Sequence, residues 1–209
     1  MIPFLASACS VFGIRTTEEA GYEVLVEDGA FELREYEQLV VVETLVRGDL
    51  GEQQNSAFFR LFDYISGKNT AEQKIAMTAP VFQEPESVEI EMTAPVFQEQ
   101  TEGGWKMSFV LPRGYTLENA PAPTNEAVVL RQIPARRLAS VRYSGFRSEA
   151  KLEQQAERLR EWISGQELSM RSGPRSAAYD PPFALPFLRR NEVLIEVDTE
   201  SGSRPDLNR

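Results

Sequence analysis

The chain has 209 residues, 42% of them apolar, enough for one large or two small domains with a well-buried core. Thirty-two acids against twenty-two bases give a formal charge of −10, which repels nucleic acid phosphates and offers no broad basic face to an anionic membrane. Histidine is absent and Cys9 is the only cysteine, which excludes a disulfide framework, a His/Cys zinc site within the chain, and Ser-His-Asp or Cys-His catalysis.

The opening residues, 1–19, read as an N-terminal extension. They are apolar but lack the basic start and the ~7 to 15 apolar residues of a secretory signal. Ala6-Ser7-Ala8-Cys9 nevertheless resembles the end of a bacterial lipoprotein signal, in which small residues precede the acylated cysteine. On that reading an upstream start is missing, Cys9 carries a lipid anchor and the protein sits at the cell envelope. On the other, Cys9 is an ordinary thiol in a frayed terminus of a cytoplasmic protein. No later apolar run approaches the ~20 residues a transmembrane helix needs.

Residues 22–26, 31–36 and 39–46 read as strands, with Glu27-Asp28-Gly29 turning the chain after the first. The period then changes. Over 52–66, Ala57, Phe58, Leu61, Phe62, Tyr64 and Ile65 share one broad side of a helical wheel, with Asp49 placed to cap the start and Gly67 to end it. Phe59 falls outside that arc, beside Arg60 and Asp63, so something other than the main core must cover its ring.

The octapeptide Met77-Thr78-Ala79-Pro80-Val81-Phe82-Gln83-Glu84 recurs unchanged at Met92-Thr93-Ala94-Pro95-Val96-Phe97-Gln98-Glu99. In each copy alternate residues (Ile75, Met77, Ala79, Val81; Ile90, Met92, Ala94, Val96) fall on one face, which is strand periodicity. Pro80 and Pro95 lack an amide donor and belong at an edge, a bulge or the end of a ladder. The simplest arrangement is a hairpin through Pro85-Glu86-Ser87, forming a sheet margin.

Further strands are expected at 105–111, 127–133, 137–143 and 192–197, with a Pro-rich connector over 112–123. A second helix spans 148–164, capped by Ser148 and stopped by Gly165, with Leu152, Ala156, Leu159, Trp162 and Ile163 as its buried stripe. Residues 172–177 read as a linker to the Pro- and aromatic-rich loop 180–188, and residues 199–209 as a disordered tail. A strand, helix and strand pair occurs around 39–111 and again around 127–197, so two similar halves share one sheet. The expected fold over residues 20–198 is one α+β domain: a pseudo-twofold curved antiparallel sheet or distorted β-barrel with two α-helices packed on it.

Three segments carry a family resemblance: Lys74-Ile75-Ala76-Met77-Thr78-Ala79-Pro80-Val81, Met107-Ser108-Phe109-Val110-Leu111-Pro112, and Asp180-Pro181-Pro182-Phe183 with Phe187-Leu188-Arg189-Arg190-Asn191-Glu192-Val193. In this order, with helices between them, they resemble the SOUL haem-binding protein family over roughly residues 20–198. The resemblance implies haem or another tetrapyrrole as a non-covalent ligand and no settled enzymatic activity. Some relatives are thought to use an axial histidine, which this chain lacks. Others are thought to hold the ligand by apolar contact, in a groove between the first helix and the loop before the last strand.

On this chain those parts are Phe58, Phe59, Phe62 and Arg60 from the helix, with Phe183, Leu185, Phe187, Arg189 and Arg190 from the loop. A tetrapyrrole is a flat apolar disc with carboxylates on one edge, so aromatic walls and arginine forks suit it. Plainer readings stand beside these. Phe58, Leu61 and Phe62 fit a simple core stripe, Arg189 and Arg190 fit pairing with surface acids, and Met77, Met92 and Tyr64 fit packing better than iron ligation. A second function class is a small hydrolase or effector-type binder of an apolar molecule, with a glutamate such as Glu192 or Glu91 as base, although solvated surface is the default for both. A third is an interaction module that pairs through edge strands, against which the repeat prolines argue.

Overall fold

The computed structural model describes residues 18–47, 50–85, 104–180 and 184–199. Cys9, Asp49, Glu91, the second copy of the octapeptide, Phe183 and the 200–209 tail lie outside the described residues. The elements in chain order are β1 (Glu18–Glu19), β2 (Tyr22–Asp28), β3 (Phe31–Tyr36), β4 (Leu39–Arg47), α1 (Leu50–Ile65), β5 (Thr78–Pro85), β6 (Gly104–Val110), β7 (Val128–Ile133) and β8 (Arg136–Tyr143). There follow α2 (Glu149–Gly165), β9 (Leu168–Met170), β10 (Arg175–Ala178), a single 3-10 turn (Pro186–Leu188) and β11 (Asn191–Thr199).

One sheet runs in the order β2-β3-β8-β11-β10-β5-β6-β4-β7, with β1 parallel to β5 and β9 antiparallel to β11. Apart from the two-residue β1 pairing it is antiparallel, and β2 and β7 remain its two ends. The expected α+β curved sheet with two helices is therefore present, and it is open rather than closed into a barrel. Its internal symmetry is legible in the order. The half β7-β4-β6-β5 repeats as β3-β8-β11-β10, and the halves meet where β5 pairs β10 through Val81↔Ala178, Phe82↔Ala177 and Gln83↔Ser176.

Side-chain alternation builds a core on each face. On β4, Val40 and Val42 join Ala57, Leu61, Tyr64 and Ile65 of α1, while Leu39 and Val41 point to the opposite face with Tyr36, Phe82, Leu138 and Leu194. On β11, Val193, Ile195 and Val197 meet Ala156, Leu159 and Ile163 of α2. The two helices thus cover one face, and the other face encloses its own core.

The helix limits follow local chemistry. Ser148 caps α2 by accepting a hydrogen bond from the Lys151 amide at 3.2 Å. Ser148→Ala should cost about 1 kcal/mol of stability in chemical denaturation, with no change of fold. Gly165 is the last helical residue of α2, and the cap itself passes to Gln166. After α1, Gly67 takes φ +111°, a left-handed conformation that glycine tolerates without strain.

Two expectations are corrected. Residues 172–177 are not simply a linker: they contain most of β10, whose four residues are all buried and which joins the two halves of the sheet. Arg-Ser-Ala-Ala carries no hydrophobic alternation; it is buried because small side chains fit the crowded centre and Arg175 reaches Glu196 at 3.6 Å. Nor does the first octapeptide copy form a sheet margin. Over Val81–Gln83, β5 is flanked by β6 and β10, so neither side is open for a hairpin with the second copy. The ladder with β6 shifts register between Thr78 and Val81, so Pro80 sits at an irregularity where no amide is required. Ile75 precedes this strand, buried in the α1 core with its amide donating to the Ile65 carbonyl.

Candidate functional site

Three places in the described structure concentrate aromatic or charged side chains. The first is the outer side of α1. Phe58 packs edge-on against Phe109 at 5.3 Å, stacks with Phe62 at 6.0 Å and meets Phe59 edge-on at 5.9 Å. Phe58 is therefore half in the core and supports two rings that reach solvent, Phe62 at 41% and Phe59 at 61% exposure. Arg60 does not extend freely beside them. Its guanidinium donates to the Thr44 hydroxyl at 2.9 Å, the Leu45 carbonyl at 3.2 Å and the Ser56 hydroxyl at 3.3 Å, which ties α1 to β4.

The second place is the loop before β11. Ala184 is buried, Leu185 is exposed and Phe187 is 70% exposed. The loop is fixed against the connection between β8 and α2: the Gly145 amide donates to the Pro186 carbonyl at 2.9 Å, and the Asn191 side chain donates to the Gly145 carbonyl at 3.1 Å. Gly145 has φ +103°, so a side chain there would strain both bonds. Between these segments lies a cleft of about 620 Å³, within the usual size of small-molecule sites, lined by Ala30, Arg142, Tyr143, Ser144, Phe187 and Arg189. The Arg189 guanidinium lies 5.6 Å from the centre of the exposed Phe146 ring, and its Nε donates to the Ala184 carbonyl.

The third place was missed by sequence reasoning, which treated Glu192 as surface by default. On the enclosed face of the sheet Glu192 has no exposure and Arg34 has 1%. Both Arg34 Nη groups donate to the Glu192 carboxylate, Arg190 Nε donates to it at 2.7 Å, and the Tyr179 hydroxyl donates to it at 3.0 Å. Arg34 Nε also donates to Glu32 at 2.6 Å, and Arg190 continues to Glu19 and to the Tyr22 hydroxyl at 3.2 Å. Arg190 is consequently turned inward and committed to this cluster. The available signal was strand alternation: Val193, Ile195 and Val197 fill one face of β11, which leaves Glu192 and Leu194 facing the other core.

Burial alone would raise the Glu192 pKa, but Arg34 and then Arg190 overcome it and hold the carboxyl below its usual value of 4.5. A depressed carboxyl contributes stability that is complete above its unfolded pKa and lost as pH falls through the folded value. Stability measured by denaturant should therefore hold near neutrality and fall as the solution is acidified below about pH 4.5. A pH-independent stability down to pH 3 would contradict the cluster's role. The same depression makes Glu192 a poor general base, since its lone pairs are already occupied and useful bases are tuned upward toward the working pH.

Of the residues considered for iron, Tyr64 donates its hydroxyl to the Pro121 carbonyl at 2.9 Å within the core, and Met77 packs against the same core. Among the described residues no group of three or more Cys, Asp or Glu side chains could hold a metal ion. No helix there is long and apolar enough to cross a membrane.

The architecture is thus an open, internally symmetric antiparallel sheet bearing two helices. The sequence matches the SOUL heme-binding protein family over residues 17–196, and the chain belongs to that family. No curated protein matches it. Among solved structures, an uncharacterised conserved protein from Listeria innocua superposes with a TM-score of 0.59 at 11% identity, covering 80% of this chain and 92% of that one. A hydrolase from the same organism gives 0.58 at 11% identity, covering 83% and 94%. The C-terminal domain of EcmrR gives 0.53 at 16% identity, covering 85% and 98%. At these identities the likeness is one of fold.

Proposed function

We propose that this protein binds a tetrapyrrole non-covalently, as a buffer or carrier without catalysis, by apolar stacking and arginine to carboxylate contacts. One observation carries the reading. Every exposed phenylalanine among the described residues lies either on the outer face of α1 (Phe59, Phe62) or at the loop cleft (Phe146, Phe187). Phe59, Phe62 and Phe187 lie in the parts of the chain that family resemblance associates with the ligand, and Phe146 lies against Arg189 of the same loop. Exposed aromatic groups of this kind mark binding surfaces more often than isolated surface residues do. Of the three arginines that the sequence offers to the carboxylates, Arg189 lines the cleft while its Nε donates to the Ala184 carbonyl, Arg60 is tied to β4, and Arg190 is tied to Glu192. Phe183 belongs to the proposed groove by its place in the sequence.

With no histidine in the chain, binding should depend little on iron. Titrating the purified protein with haem and with metal-free protoporphyrin, followed by absorbance, should give saturable changes and comparable affinities. No saturable change with either compound would remove the proposal. The hydrolase reading has no comparable support, because Glu192 is saturated by Arg34, Arg190 and Tyr179.

A further inference from the structure

Among the described residues the fold uses the octapeptide once, as β5; the second copy lies outside them. The place that β5 fills is closed on both sides. β6 pairs with it through Val81↔Phe109, Phe82↔Ser108 and Gln83↔Met107, and β10 pairs with its other side. From 75 to 83 the buried residues are Ile75, Thr78, Ala79, Pro80, Phe82 and Gln83. Each recurs fifteen positions later, as Ile90, Thr93, Ala94, Pro95, Phe97 and Gln98. The partly buried Met77 and Val81 recur as well. Between 74 and 84 the copies differ only at Lys74, matched by Glu89, and at Ala76, matched by Glu91, and both of these β5-side positions are exposed. Identity thus follows burial: wherever the surrounding sheet and helix read a side chain, the two copies offer the same one.

The connections fit an exchange. With the first copy seated, Pro85 lies opposite Trp105, and residues 86–103 connect β5 to β6. With the second copy in the same register, Gln100 stands opposite Trp105 and Thr101-Glu102-Gly103-Gly104 turns the chain. Four residues ending in two glycines suit a hairpin loop. Residues 75–89 then join the connection from α1. The ordered part of that connection is complete before they begin, since the Asn69 side chain donates to the Tyr64 and Gln73 carbonyls and accepts from the Ala71 and Gln73 amides. Loop-closure entropy grows only with the logarithm of length, so moving fifteen residues between the two connections changes stability little.

We propose that the two octapeptides are interchangeable strands for one place in the sheet. Residues 93–99 take the position of β5 between β6 and β10, and the exchange carries fifteen residues from one end of this central strand to the other. No ligand is needed for it.

The test begins with Phe82, 3% exposed in the core of the enclosed face. An unpaired carboxylate there unfolds a protein that has a single strand for the place. Phe82→Asp should instead keep a cooperative melt, lowered by only about 2–4 °C as a second arrangement of nearly equal stability takes over. Phe82→Asp combined with Phe97→Asp should show no cooperative melt. To locate the seated strand, Glu99→Cys and Lys106→Cys are added to Phe82→Asp in a Cys9→Ser background. Glu84 and Lys106 are opposite one another in the β5–β6 ladder, so after the exchange position 99 faces position 106 within disulfide reach. Mild oxidation should join the two cysteines in most of the folded protein, as read by peptide mapping. Unfolding of Phe82→Asp by itself, an unchanged melt in the double aspartate variant, or a folded Phe82→Asp protein whose 99–106 disulfide does not form would overturn the inference.

Discussion

Glu192→Ala should destabilise the fold by about 3–5 kcal/mol, because it leaves Arg34, buried, and Arg190, partly buried, charged and without their shared carboxylate. That is a large share of the ~5–15 kcal/mol by which a domain is typically stable, so a folded variant with a much lower melting temperature, or none at all, is the expected result. The penalty comes from stranded charge rather than from lost packing. Arg34→Met combined with Glu192→Leu should therefore recover at least about half of it, since apolar replacement of a buried pair is often neutral or favourable. Equilibrium denaturation of the single and double variants measures this directly. If the double variant is as unstable as the sum of its parts, the cluster contributes through shape rather than charge.

The second large effect concerns the ligand. Phe59→Ala should weaken porphyrin binding by roughly 1–3 kcal/mol, about the worth of one aromatic contact, while barely altering stability. The physical reason is its position: at 61% exposure the Phe59 ring gives little to the core that Leu61 and Tyr64 fill. Leu61→Ala is the matched opposite. It empties a site with no exposure and should cost about 2–5 kcal/mol of stability, with porphyrin affinity unchanged in the folded fraction. A Phe59→Ala protein that loses stability like Leu61→Ala and binds porphyrin normally would show that the ring is packing.

Much of the fold was readable in the chain because it depends on local periods. The stripe from Ala57 to Ile65 specifies an amphipathic helix, and the Ser148 side chain specifies where the second helix starts, whatever surrounds them. Residues 39–46 announce a strand, and residues 39–111 and 127–197 announce two halves. The site was legible in part: alternation around the helical wheel separated Phe59 from Leu61, and family resemblance singled out the loop of Leu185, Phe187 and Arg189. Arg189 and Arg190 are adjacent and chemically identical, yet one lines the open cleft and the other is drawn to Glu192 and Glu19. Nothing local distinguishes them.

The sequence by itself determined composition-level exclusions, the helices, most of the strands and the α+β class, since each follows from residue type or short-range spacing. Tertiary structure decided the rest. It made Arg-Ser-Ala-Ala a central strand, placed β5 between β6 and β10 instead of at a margin, and left the sheet open at β2 and β7. It also turned Glu192 into the centre of a buried ionic cluster. These outcomes depend on which distant segments meet: Arg34 and Glu192 are 158 positions apart. A charged side chain carries the same local signal whether its partner is water, a carboxylate or a ligand, and only the fold selects among them.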